Sequence, residues 1–135
     1  MSEIITDKLT GKTSAGDVTI TSEGGSATMQ LQQGVAKVWI DIPLGAASIN
    51  DSFNVSSLDD DGTGDFGVNV TNSFDNAFHV PTASNSNLSS SSLINCVVES
   101  KTTSAIEAYT IAVSATANRT LLDRDAHITS HGDLA

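Results

Sequence analysis

The densest group of chemically capable side chains in this 135-residue sequence is Asp59-Asp60-Asp61-Gly62-Thr63-Gly64-Asp65. Alternating carboxylates before a glycine invite comparison with a calcium loop, where oxygen ligands recur at alternate positions around an invariant glycine. With Gly62 placed on that glycine, Asp59 and Asp61 take ligand positions. Val68 then falls where a bidentate glutamate must complete the shell, so the pattern fails. A looser ion site on Asp59, Asp61 and Asp65 competes with a plainer reading, a hairpin whose aspartates cap backbone amides. The plainer reading is preferred, and no metal or other cofactor is expected.

The remaining candidates are sparse. Cys96 lies in the apolar run Leu93–Glu99 and reads as a small buried hydrophobe; a reactive thiolate wants an exposed, electropositive setting. A single cysteine excludes an internal disulfide and any zinc cluster of several thiolates. His79 alternates with Phe78 and Val80, which predicts the solvent side of a strand. His127 and His131 stand four apart in a predicted strand or tail, so they do not form the helical pair of a zinc site. Five Asn-x-Ser/Thr sequons, at Asn50, Asn54, Asn69, Asn87 and Asn118, are what chance yields in a chain so rich in these residues. Most acids fall in predicted turns, not across a cleft as glycoside hydrolysis requires. No nucleophile has a base at a recognisable spacing, so no enzyme is expected. Trp39 shares a strand face with Lys37 and Asp41. It either covers the edge of its own core or packs into a neighbouring subunit, which makes these three the candidate subunit interface.

Composition narrows the class further. The net charge is −10, from six basic and sixteen acidic residues, which disfavours phosphate-mediated nucleic-acid binding. Serine and threonine supply 19 and 15 residues, while aromatic residues make up only 4%. A long helical bundle needs far more Leu, Ala, Glu and Lys. No apolar run approaches the roughly 20 residues of a membrane-spanning helix, and no membrane insertion is expected. The opening MSEIITDKLT lacks a basic-then-apolar pattern, so no secretory leader is expected.

The elements that must position these residues are short strands. Period-two alternation marks Val18–Thr21, Lys37–Ile42, Phe53–Val55, Phe66–Val70, Phe78–Val80 and Tyr109–Ala115; the continuous apolar run Leu93–Glu99, interrupted by Asn95, reads as a further strand, and a last one surrounds Ile128. Asp59–Asp65 reads as the turn between two of them, Pro43-Leu44-Gly45 ends another, and the serine-rich run 85–92 reads as an exposed loop. The sole helix candidate is Ala27–Gln33, ending at Gly34. Seven or eight such strands predict an all-β fold, an antiparallel, jelly-roll-like β-sandwich over residues 31–135. Residues 1–30 hold no aromatic side chain and few large apolar ones, and are expected to form an arm or short stalk that must dock onto something else.

The runs QGVAKVWIDI and INDSFNVSSLDDDGTGDFGVNV resemble a module common in bacteriophages, marine ones in particular. The matching residues are Gln33, Gly34, Ala36, Lys37 and Trp39, then Asp51-Ser52-Phe53-Asn54-Val55, then Gly62-Thr63-Gly64-Asp65, and Gly132-Asp133 near the C-terminus. Phe66 stands where the module mostly has tyrosine. The opening MSEI with its Lys-Leu-Thr-Gly stretch also looks like the start of small marine phage virion proteins. The resemblance covers about forty residues well and the second half weakly. It implies a virion protein similar to the distal β-sandwich knob of tail or head fibres, assembled in the host cytoplasm and working as a homotrimer. Residues 1–30 would then bind other virion proteins of the tail, fibre base or capsid. The loop containing Asn85, Ser86, Asn87, Ser89 and Ser90 would meet a host-surface glycan or protein. With only thirty residues before the knob, a short fibre or fibre tip is expected. A capsid decoration protein and a lectin-like carbohydrate-binding module are the alternatives.

Overall fold

Alternation at residues 38–42 builds the strand on which the rest of the sandwich is laid. In the computed structural model, which describes residues 3–12, 18–21, 24–43, 48–86, 93–113 and 119–135, Val38, Ile40 and Ile42 are buried while Trp39 faces out. The chain divides into two compact units, Met1–Val35 and Ala36–Ala135.

In the first unit β1 (Thr19–Thr21) pairs antiparallel with β2 (Thr28–Gln30), and Ile20 lies opposite Met29. The predicted helix at Ala27–Gln33 is instead strand β2 followed by a single 3-10 turn, Leu31–Gly34. Thr28 is β-branched and pairs with Thr21, and one turn closed by glycine is too short to repay helix nucleation. Leu31 donates its N–H to the Val18 carbonyl at 2.7 Å. No residue of these elements is buried, and Ile4, Ile5 and Leu9 are exposed.

The second unit is an all-β antiparallel sandwich. One sheet runs in the order β4 (Asp51–Phe53), β3 (Val38–Ile42), β11 (Ala126–His131), β7 (Val80–Ser84). The other is built on β9 (Ala105–Val113), which pairs with β8 (Leu93–Lys101), with β6 (Asp65–Val70) and with β10 (Arg119–Leu121); β5 (Val55–Gly62) then pairs with β6. Ile40, Ile42, Ala126 and Ile128 from the first sheet meet Phe66, Val68, Cys96, Ile106 and Ala108 from the second in one core. Val38, Val70 and Phe74 form a second cluster, bridged to the first by Val55.

The described residues of the second unit form nine strands where the sequence predicts seven or eight for the sandwich. Part of the difference comes from Asn54, which divides the predicted Phe53–Val55 strand. Its φ of 60° is left-handed, a region asparagine tolerates better than most residues. The chain turns there from β4 in one sheet to β5 in the other. Asn54 Nδ2 donates to the carbonyls of Lys37 (3.1 Å) and Asn72 (3.0 Å), and Oδ1 accepts from the Asn72 N–H (2.7 Å).

Candidate functional site

The outer face of the β4-β3-β11-β7 sheet brings aromatic, acidic and imidazole side chains together. Directly opposed residues on neighbouring strands share a face, so the register fixes what lies together. Phe53, Trp39, Thr129 and Thr82 form one row across the four strands, and Asp51, Asp41, His127 and Ser84 form the next. Trp39 is 37% exposed and Phe53 52%. Beside this aromatic pair runs a polar chain. Asn50 Nδ2 donates to Asp41 Oδ2 at 3.3 Å, and Asp41 Oδ1 lies 3.1 Å from His127 Nδ1. His127 Nε2 stands 3.7 Å from Asp125 Oδ2, which accepts the Ser86 N–H at 3.0 Å and the Ser86 hydroxyl. Burial works against ionisation of Asp125, but the two bonds from Ser86 and the neighbouring His127 outweigh it and hold the carboxyl below its usual range.

Trp39 and Asp41 thus share the outer face, as their spacing predicts, and the half-buried Lys37 precedes them on the chain with its N–H bonded to the Ser130 carbonyl at 2.9 Å. Of the predicted contact loop, Ser86 is joined to the same polar chain through Asp125 and Asn85 is half-buried beside it. Asn87, Ser89 and Ser90 lie outside the described residues. Sequence reasoning missed Phe53, His127 and Asp125 as members of this group. The cross-strand register brings Phe53 and His127 to Trp39 and Asp41, which no local spacing shows, and Asp125 joins through its neighbour His127.

The histidine at 79 is not on the solvent side. His79 is 2% exposed, whereas Phe78 is 86% exposed. Strand β7 begins only at Val80, so the alternation over 78–80 is not that of a strand. The imidazole is fully engaged. Nε2 is 2.9 Å from the Thr102 carbonyl, an acceptor only, so the neutral ring donates there and accepts the Ser130 hydroxyl at Nδ1, 2.8 Å away. This is a structural histidine. His127 and His131 lie on a strand, about 13 Å apart at strand rise, too far to share an ion.

Asp59, Asp60 and Asp61 belong to β5 and not to a loop; only Thr63 and Gly64 separate β5 from β6. Asp60 Oδ1 accepts the Gly62 N–H at 3.1 Å, the capping role preferred from sequence, while Asp59 Oδ2 accepts from Asn69 Nδ2 at 2.7 Å. Gly64 has φ 69°, and a Cβ there would stand 2.7 Å from the backbone of Leu122, so only glycine fits this turn. Its N–H donates to Asp123 Oδ1 at 2.6 Å and its carbonyl accepts from Thr110 at 2.7 Å. The outer face of this second sheet is acidic. Burial raises the Glu107 carboxyl, and Asp61, Asp59, Asp65 and Glu99 raise it further. A shallow hollow of about 250 Å³ beside it is lined by Asp65, Glu99, Tyr109 and Leu121. Among the described residues no three His, Cys, Asp or Glu side chains are placed to hold a metal ion. Cys96 is buried, as its run predicts, and burial, with Asp125 as a lesser cause, pushes its thiol up to about 11. No helix among the described residues is long and apolar enough to cross a membrane.

No protein-family model, no curated protein and no solved structure matches this chain significantly.

Proposed function

We propose that the chain is a non-enzymatic structural protein of a bacteriophage virion, a short fibre or fibre-tip protein that works as a homotrimer in attachment to the host surface. The observation that carries this reading is the resemblance over Gln33–Val70. Its most distinctive residues sit where the sandwich turns: Asn54 at the crossing between sheets, and Gly62-Thr63-Gly64-Asp65 at the β5–β6 hairpin. A motif made of corner residues specifies an architecture more than a reaction, which suits a structural part. The first unit supports an attachment role, because it exposes Ile4, Ile5, Leu9, Ile20, Met29 and Val35 and buries none of its described residues. Large exposed apolar side chains in so small a unit are what a docking arm presents to a larger assembly.

Two measurements test this. Sedimentation of the purified chain at micromolar concentration is expected to give a trimer, and a monomer there would count against the proposal. Imaging of virions carrying a tagged copy is expected to place the label at a tail or fibre tip. Label spread over the faces of the head would replace this reading with that of a capsid decoration protein.

A further inference from the structure

We propose that the outer face of the β4-β3-β11-β7 sheet binds a neutral saccharide, with Trp39 and Phe53 as the stacking floor and Asp41, Asn50 and His127 as partners for its hydroxyls. A sugar ring has one face of weakly positive C–H groups and a rim of hydroxyls. The first suits the negative face of an aromatic ring, the second a row of carboxylate, amide and imidazole groups. Both kinds of surface lie here in adjacent rows, Trp39 opposite Phe53 and Asp41 opposite His127. Strands about 4.8 Å apart and rows about 7 Å apart let one ring on the aromatic pair reach the polar row with its rim. The polar groups are already oriented by one another, through the Asn50–Asp41 bond at 3.3 Å and the His127–Asp41 contact at 3.1 Å, so little ordering remains on binding.

Size and charge decide the occupant. At 37% and 52% exposure, the two aromatic residues offer on the order of 200 Å² between them. That floor suits one or two sugar rings. A two-fold contact with a second copy would bring Asp51 and Asp41 against their own like charges. The same carboxylates disfavour uronic or sialic acids. The proposal rests on the attachment reading only for the source of the sugar, a host surface.

Trp39 is the single tryptophan of the chain, so its fluorescence reports on this face alone. The full chain is titrated with maltose, cellobiose, N,N′-diacetylchitobiose and digalacturonic acid at millimolar concentrations, the range for weak single-site sugar binding. At least one neutral disaccharide is expected to give a saturable change. Phe53→Ala and Asp41→Asn should each weaken it tenfold or more, with the far-UV spectrum and melting temperature showing that they fold. Phe78→Ser, an exposed site elsewhere, should leave it unchanged. No saturable change with any neutral sugar, or tighter binding of digalacturonic acid, overturns the proposal. Loss of a sedimenting oligomer in Phe53→Ala also overturns it, by making this face a contact between copies. Saturable sugar binding by a protein found on the capsid head would leave this inference standing and remove the fibre reading.

Discussion

The Phe74 and His79 rings are stacked 3.9 Å apart and 4° from parallel, and both are buried. Gly132 makes room for them, since a Cβ there would lie 2.7 Å from His79 Cβ and 3.2 Å from Phe74. The His79 ring ties the start of β7 to Ser130 on β11 and to Thr102 between β8 and β9, and Lys101 Nζ donates to its carbonyl. Three chain segments distant in sequence therefore meet at one imidazole.

That arrangement favours the neutral ring and gives stability a pH dependence. Burial lowers the His79 pKa from 6.5; the bond to Thr102 opposes this, and the charge of Lys101 adds to it. A depressed folded-state value means that the unfolded chain takes up the proton first. The contribution is complete above pH 6.5 and is lost as pH falls through the lower folded value. Melting temperatures are expected to be level between about pH 7 and 8 and to decline below 6.5. His79→Phe keeps the stack but leaves the Ser130 hydroxyl and the Thr102 carbonyl without their partner, a cost of about 1–3 kcal/mol at pH 7.5. The gap between wild type and His79→Phe should narrow towards pH 5. A gap independent of pH would refute the protonation argument.

Asn54 separates two contributions that one substitution would confuse. Glycine accepts a φ of 60° but removes the bonds to Lys37 and Asn72; alanine removes the same bonds and adds left-handed strain of about 1–2 kcal/mol. Urea denaturation should therefore rank wild type above Asn54→Gly and Asn54→Gly above Asn54→Ala. Equal stability of the two variants would show that the side-chain bonds alone hold the corner.

What could be read from the sequence depended on how local the cause was. The inward Val38, Ile40 and Ile42 and the outward Trp39 and Asp41 follow from a regular period in one strand. In β9 the period was clear but its phase was not. Tyr109, Ile111 and Val113 look like the apolar face, yet Ile106, Ala108, Thr110 and Ala112 fill the inward positions. Thr110 can point inward because its hydroxyl donates to the Leu122 carbonyl, a partner no window on β9 contains. His79 inverted its expected side for the same reason, its partners lying 51 and 23 residues away. Of the candidate site, Trp39 and Asp41 were legible, while Phe53 and His127 came with the register and Asp125 with its contact to His127.

Cys96 tests whether the core opens short of global unfolding. Its side chain is buried between the sheets, and burial raises its thiol to about 11, so little thiolate exists at pH 8 and none is accessible. Labelling by a disulfide reagent at pH 8 should be slower by orders of magnitude in native protein than in urea-unfolded chain. Its rate should rise with urea in step with the unfolded fraction. Rapid native labelling would mean that β8 separates from the core locally.

Glu107 points the other way from His79 in its effect on stability. Its carboxyl is raised by burial first and then by Asp61, Asp59, Asp65 and Glu99, so ionising it costs more in the folded chain than in the unfolded one. A raised carboxylate gives stability that is present at acidic pH and lost as pH rises past its unfolded value. Glu107→Gln removes that loss and keeps the shape of the side chain. It is expected to stabilise the protein at pH 7.5, by less than about 1 kcal/mol because solvent screens this face. The gain should shrink in 1 M salt, where the Debye length falls to about 3 Å. It should vanish near pH 4, where the glutamate is itself protonated. A destabilised Glu107→Gln protein at low salt would mean that the carboxylate has a favourable partner, and that the acidic face is a neutralised surface instead of a self-repelling one.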